Sequence, residues 1–250
     1  MMKLSPVITA AGLSLLVTTC VQAKPLPQAP VICHRAPGAN QNSARILIIG
    51  ESWASKGKML PNLPEAAAKR LGPVIACSVG FSGRNTSDIL REYSGAKEAE
   101  LLKALGGRPT YALILTGVND QVQHVGAKRH ASDVTALAGH LRRSGSRVLL
   151  VEAPYISPND GAWLGARLKH TAARYANDGG AKVVTATYRA AVAKTGIETI
   201  AFDPFIPAYA GNESRYQSDG IHLTPAWFSS YATYLGDRLA LKVKLAKRRA

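Results

Sequence analysis

Four short apolar runs, Ile46–Ile49, Val74–Val79, Tyr111–Leu115 and Arg147–Glu152, recur along the chain with almost no polar alternation inside them. A strand wetted on one face alternates polar with apolar residues, whereas a strand covered on both faces reads as a continuous apolar run. Segments of helix-forming composition separate these runs: Leu63–Leu71, Ser87–Tyr93, Lys97–Leu105, Ser132–Arg143 and Asp160–Ala176. Gly72, Gly106, Gly145 and Gly179 follow helical stretches, where a left-handed cap is wanted. Lys182–Ala186 reads as a fifth strand, and Thr224 with Pro225 as the N-cap and first residue of a last helix. Strand and helix alternating in this way predict an α/β chain, a three-layer α/β/α sandwich around a five-stranded parallel sheet.

Of 250 residues, 46% are hydrophobic, enough for one sizeable core and a single domain. Residues 1–23 have a short basic start, an apolar stretch from Val7 to Val21, and the small-residue ending Val21-Gln22-Ala23, so they read as a secretion signal cut before Lys24. Two rival readings are an uncleaved anchor and a lipoprotein signal ending at Cys20, where Thr19 is larger than the usual preceding residue. Residues 24–44 are rich in Pro, Asn, Gln and Ala without periodicity and are expected to form an irregular lead, with the folded domain spanning 45–250. Cleavage would leave Cys33 and Cys77 in a secreted or periplasmic compartment, where they either pair or remain buried thiols; the sequence leaves both readings open.

Lys and Arg outnumber Asp and Glu by 31 to 16, a net charge of +15 that favours attraction to an anionic envelope surface. The charges are dispersed and accompany no nucleic-acid motif, which argues against nucleic acid as a partner. The densest run, Lys242, Lys244, Lys247, Arg248 and Arg249, reads as a solvated helix end.

Ligands of open parallel sheets bind beyond the carboxyl ends of the strands, so the residues just after each strand matter most. These are Gly50-Glu51-Ser52-Trp53, then Gly80-Phe81-Ser82-Gly83-Arg84-Asn85-Thr86, then Gly117-Val118-Asn119-Asp120; Asp219-Gly220-Ile221-His222 stands before the last helix. In this order the four blocks resemble those of the SGNH (GDSL-like) hydrolase superfamily, over about Arg45 to Leu239. The resemblance implies a flavodoxin-like SGNH hydrolase fold and a serine esterase.

The chemistry assigns each residue a task. The Ser52 hydroxyl is a poor nucleophile without a base, His222 is the expected base, and Asp219 can hold its tautomer and stabilise the imidazolium. By resemblance, the oxyanion donors are the backbone N–H groups of Ser52 and Gly83 and the Asn119 amide, with Gly80 as the rival to Gly83. Asn85 is a candidate Asx-turn residue and Asp120 a loop brace. The family usually has Asp before its serine, and this chain has Glu51, whose longer carboxylate can still anchor the loop. Trp53-Ala54-Ser55 departs from the usual Leu-rich continuation and leaves the subfamily open. His34, His124, His130, His140 and His170 have no comparable partners and are expected to be solvated. Trp53, Trp163 and Trp227 are either cleft or core residues.

The expected function is exported hydrolysis of carboxylic esters through an acyl-serine: O-acyl or acetyl groups on carbohydrate, or small lipid-like esters. Small-molecule or polysaccharide esters are the expected partners, with no cofactor and no metal. The alternatives are an O-acyltransferase using the same acyl-enzyme, a lysophospholipase or thioesterase, and a non-catalytic binding domain.

Overall fold

A computed structural model of the chain describes residues 29–156 and 180–247. The strands in chain order are β1 (Val31–Arg35), β2 (Ala44–Gly50), β3 (Val74–Gly80), β4 (Tyr111–Leu115), β5 (Arg147–Val151) and β6 (Thr199–Ile200). They form one sheet in the order β1-β3-β2-β4-β5-β6. All neighbours run parallel except β1, which is antiparallel to β3. The helices are α1 (Asn62–Leu71), α2 (Thr86–Tyr93), α3 (Ala96–Leu105), α4 (Val118–Val122), α5 (Ala127–Arg143), α6 (Ala181–Ala193) and α7 (Pro225–Lys247).

Both faces of the sheet are covered, as the unbroken apolar strands require. Ile46 and Ile48 of β2 point into a core with Leu63 and Ala67 of α1 and Phe228, Tyr231, Leu235 and Leu239 of α7. Leu47 and Ile49 of the same strand point the other way, against Ile89 and Tyr93 of α2, Leu101 and Leu105 of α3, and Val134, Leu137 and Leu141 of α5. The result is a three-layer α/β/α sandwich, with the carboxyl ends of the five parallel strands along one edge.

The structure corrects three expectations. Lys182–Ala186 is not a strand but the first turns of α6: Ala181, Thr185, Tyr188 and Val192 are buried at helical spacing, while Val183 is exposed. The fifth parallel strand is β6 instead. The segment 24–44 is not irregular throughout, because Val31–Arg35 forms β1 and adds a sixth, antiparallel strand. Helix α5 begins at Ala127, five residues before the expected Ser132. The leader expected at 1–23, the helix expected at Asp160–Ala176, Trp163, His170 and Gly179 lie outside the described residues.

Of the two readings for the cysteines, the structure has the bond. Cys33 and Cys77 lie directly opposite in the antiparallel register of β1 and β3, with Cα atoms 4.0 Å apart, and form a disulfide. It pins the edge strand to the sheet beside the strand that leads to Gly80.

Candidate active site

Strand β2 ends in a tight turn that carries Ser52. Gly50 and Gly80 are partners in the register of β2 and β3. A side chain on Gly80 would strike the backbone of Ala54 and Ser55, and one on Gly50 would strike the Leu115 carbonyl. These glycines let the turn lie directly on the sheet. The Ser52 carbonyl accepts from the Ser55 hydroxyl at 2.7 Å and from Lys58 Nζ at 3.2 Å, and the Ser78 hydroxyl donates to the Ala54 carbonyl at 2.5 Å.

Ser52, His222 and Asp219 come together from opposite ends of the chain. His222 Nε2 is 2.7 Å from Ser52 Oγ, and His222 Nδ1 is 2.6 Å from Asp219 Oδ2. The other carboxylate oxygen of Asp219 accepts the backbone N–H groups of Ile221 and His222, both at 2.8 Å. Burial alone would raise the Asp219 carboxyl, but the His222 ring and those two N–H groups outweigh it and hold the group below its ordinary value. Asp219 is therefore an ionised partner for the imidazole.

The loops that carry Gly83 and Asn119 meet one another, and Glu51, next to Ser52, binds the second of them. Gly83 has a φ of +77° and open space where a side chain would be, whereas Gly80 is packed tightly. Close packing against the turn that carries Ser52 gives Gly80 its own reason to be glycine. Among the described residues, no backbone hydrogen bond uses the N–H of Ser52 or of Gly83. Asn119 Nδ2 donates to the Arg84 carbonyl at 3.0 Å, which fixes the amide and leaves its second N–H for another acceptor. Gln123 Nε2 donates to the Gly83 carbonyl at 2.8 Å, and Asn85 Nδ2 donates to Gln123 Oε1 at 2.9 Å. Asn85 also caps α2, accepting the Asp88 N–H at 3.0 Å.

Glu51 anchors the Asn119 loop directly. Its two carboxyl oxygens accept the N–H of Val118 at 2.9 Å and that of Asn119 at 2.7 Å. Burial pushes the Glu51 carboxyl up to about 8, opposed by the Asn119 and Val118 N–H groups and reinforced by the charge of Asp120.

His130 departs from the expectation of a solvated histidine. It is buried, with Nδ1 3.1 Å from Asp120 Oδ1, because its position on α5 faces the sheet, on the same side as Val134, Leu137 and Leu141. His140 is likewise engaged, with Nε2 2.9 Å from Glu98 Oε2. Trp53 is core rather than cleft: its buried ring packs against Phe228 at 5.1 Å and lies 6.5 Å from the His222 ring. Trp227 is partly buried against Phe205 and lies under the Arg215 guanidinium. Sequence reasoning also missed Lys58, whose ammonium lies 4.8 Å from the centre of the Phe228 ring. Burial, helped by Lys56 and opposed by Asp219, lowers its pKa. Among the described residues no cluster of three or more His, Cys, Asp or Glu is arranged to hold a metal ion, and no helix is long and apolar enough to cross a membrane.

Comparison with known proteins bears on the family and the fold. The GDSL-like lipase/acylhydrolase family profile matches residues 47–227. Among solved structures, a lipase/acylhydrolase from Enterococcus faecalis aligns with a TM-score of 0.60 and 16% identity, covering 80% of this chain and 96% of that one. A GDSL-like lipase from Bacteroides thetaiotaomicron aligns at 0.54 and 16% identity, covering 82% and 91%. A psychrotrophic esterase from a Pseudoalteromonas species, solved inhibited by monoethylphosphonate, aligns at 0.53 and 20% identity, covering 82% and 100%. At these identities the structures establish a shared fold. No curated protein sequence matches the chain significantly.

Proposed function

We propose, for a chain that belongs to the GDSL-like lipase/acylhydrolase family and is a serine ester hydrolase, that Ser52, His222 and Asp219 carry out hydrolysis through an acyl-serine intermediate. The observation that carries this reading is the unbroken row from Asp219 Oδ2 through the imidazole to Ser52 Oγ, with both contacts at hydrogen-bond distance.

Ser52 Oγ attacks the ester carbonyl carbon while His222 Nε2 takes its proton, and Asp219 stabilises the imidazolium. The carbonyl oxygen becomes an oxyanion facing the N–H of Ser52, the N–H of Gly83 and the free N–H of the Asn119 amide. Each such donor is worth about 3 to 4 kcal/mol to the transition state. The C–O bond to the alcohol then breaks, His222 returns its proton to the leaving oxygen, and an acyl-Ser52 remains. Water, deprotonated by His222, attacks the acyl carbon, and the acid leaves as the proton returns to Ser52.

The substrate class we favour is an O-acyl or acetyl ester on carbohydrate, with small lipid-like esters next, encountered outside the cytoplasm. The disulfide, which persists in oxidising compartments, supports export of a domain beginning near Lys24. The net charge of +15 supports a working place near anionic envelope polymers. Hydrolysis of p-nitrophenyl esters from acetate to decanoate by the mature protein and its Ser52→Ala variant tests this. Serine-dependent turnover with an optimum at acetate supports the carbohydrate O-acyl reading, an optimum at long chains supports lipid-like esters, and equal rates for both proteins overturn the assignment.

A further inference from the structure

Beneath the two donor loops lies a polar knot that the reaction itself does not use. Asp120 and Thr86 are fully buried, and Thr116 and His130 around them are buried as well. Asp120 Oδ2 accepts from the Thr86 hydroxyl at 2.8 Å and the Thr116 hydroxyl at 3.3 Å, and both carboxylate oxygens lie within 3.3 Å of the Thr86 backbone nitrogen. His130 Nδ1 lies between the two loops, 3.1 Å from Asp120 Oδ1 and 3.2 Å from Thr86 Oγ1.

The connectivity gives this knot its meaning. Asp120 follows Asn119 directly, and Thr86 lies three residues beyond Gly83, so a single carboxylate ties together the segments carrying both donors. A buried carboxylate holds such a position only while its oxygens are satisfied, and His130 supplies the contact that the loops cannot make for themselves. The imidazole is itself packed in place, with its ring 5.4 Å from the Tyr188 ring. The Tyr188 hydroxyl donates to the Asp120 carbonyl at 3.2 Å and accepts the Gly126 N–H at 2.9 Å. Gly117 passes so close that a side chain there would lie 3.4 Å from the His130 ring. Tyr188 and Gly117 thus bound the space that the His130 ring occupies.

We propose that His130 is a positioning residue for ester hydrolysis, acting through Asp120 and Thr86 to hold the loops that present Gly83 and Asn119. This rests on the reading of those two residues as oxyanion donors. Misplacing a donor weakens interactions made in the transition state and leaves substrate affinity largely unchanged, so the effect falls on kcat.

The test is a double-mutant cycle with p-nitrophenyl acetate, using His130→Ala, Asn119→Ala and both together, with His130→Asn as the conservative variant. His130→Ala is expected to lower kcat about tenfold or more with KM within about twofold. His130→Asn, whose amide nitrogen can take the Nδ1 position, should recover most of that loss. In the Asn119→Ala background the His130→Ala factor should shrink, because the donor it positions is already gone. An unchanged kcat, or the same factor in both backgrounds, overturns the proposal. If His130→Ala does not fold, Thr86→Val replaces it in the cycle under the same two criteria. Full activity of Asn119→Ala alone would instead refute the donor assignment, a result distinct from additive losses.

Discussion

Glu51 joins the turn that carries Ser52 to the Asn119 loop, and replacing it with Gln separates its two roles as an acceptor and as an ionisable group. A Gln side chain can accept only one of the two N–H groups that Glu51 serves. The other would face an amide nitrogen, and a buried unsatisfied N–H costs about 1 to 3 kcal/mol. The pH dependence works in the opposite direction. With its carboxyl raised from 4.5 to about 8, the folded protein keeps a proton that the unfolded chain has already lost. Raising the pH through that window therefore destabilises the wild type, by at most about 1.4 kcal/mol per pH unit, or roughly 3 kcal/mol between pH 5 and 7. Glu51→Gln has no such proton, so its stability advantage or deficit relative to wild type should shift in the variant's favour as pH rises. Urea unfolding of both proteins at pH 5, 6, 7 and 8 measures the difference directly. A difference that stays constant across the range would refute a raised Glu51, and an unchanged kcat in the variant would refute its role as anchor of the Asn119 loop.

Other consequences are equally direct. Removing the disulfide with Cys33→Ala and Cys77→Ala opens a loop spanning a separation of 44 residues, which should cost on the order of 4 kcal/mol in urea unfolding; reductant should then no longer affect stability. Asn119→Ala should lower kcat about 10²- to 10³-fold with little change in KM, measured on p-nitrophenyl acetate. Asp219 is held below its ordinary carboxyl value, so its contribution to stability is intact above about pH 4 and is lost as pH falls through the depressed value. Asp219→Asn should abolish that acid sensitivity in thermal unfolding and reduce kcat by up to about 10⁴-fold.

The parallel sheet was legible because Ile46–Ile49, Val74–Val79 and Tyr111–Leu115 carry their burial in their own composition. The row of Ser52, Asp219 and His222 was legible because its members stand at strand ends and helix starts, where this architecture puts chemistry. What escaped notice depends on distant partners. Strand β1 lies in a Pro-rich segment and becomes a strand only through pairing with β3 and the bond to Cys77. Lys182–Ala186 is β-branched enough to pass for a strand over five residues, and only the longer spacing out to Val192 reveals the helix. His130 gains its importance from Thr86 and Asp120, which no local pattern joins to it. Its spacing to Val134, Leu137 and Leu141 was nonetheless a readable sign that it faces the core.

Ser52 as nucleophile is tested by intact-mass and peptide mass spectrometry of the protein after exposure to an alkyl fluorophosphonate. A single adduct on the peptide containing Ser52, absent from Ser52→Ala and accompanied by loss of esterase activity, is the predicted result. Esterase activity that survives in Ser52→Ala, or an inactivating adduct on another residue, would contradict it.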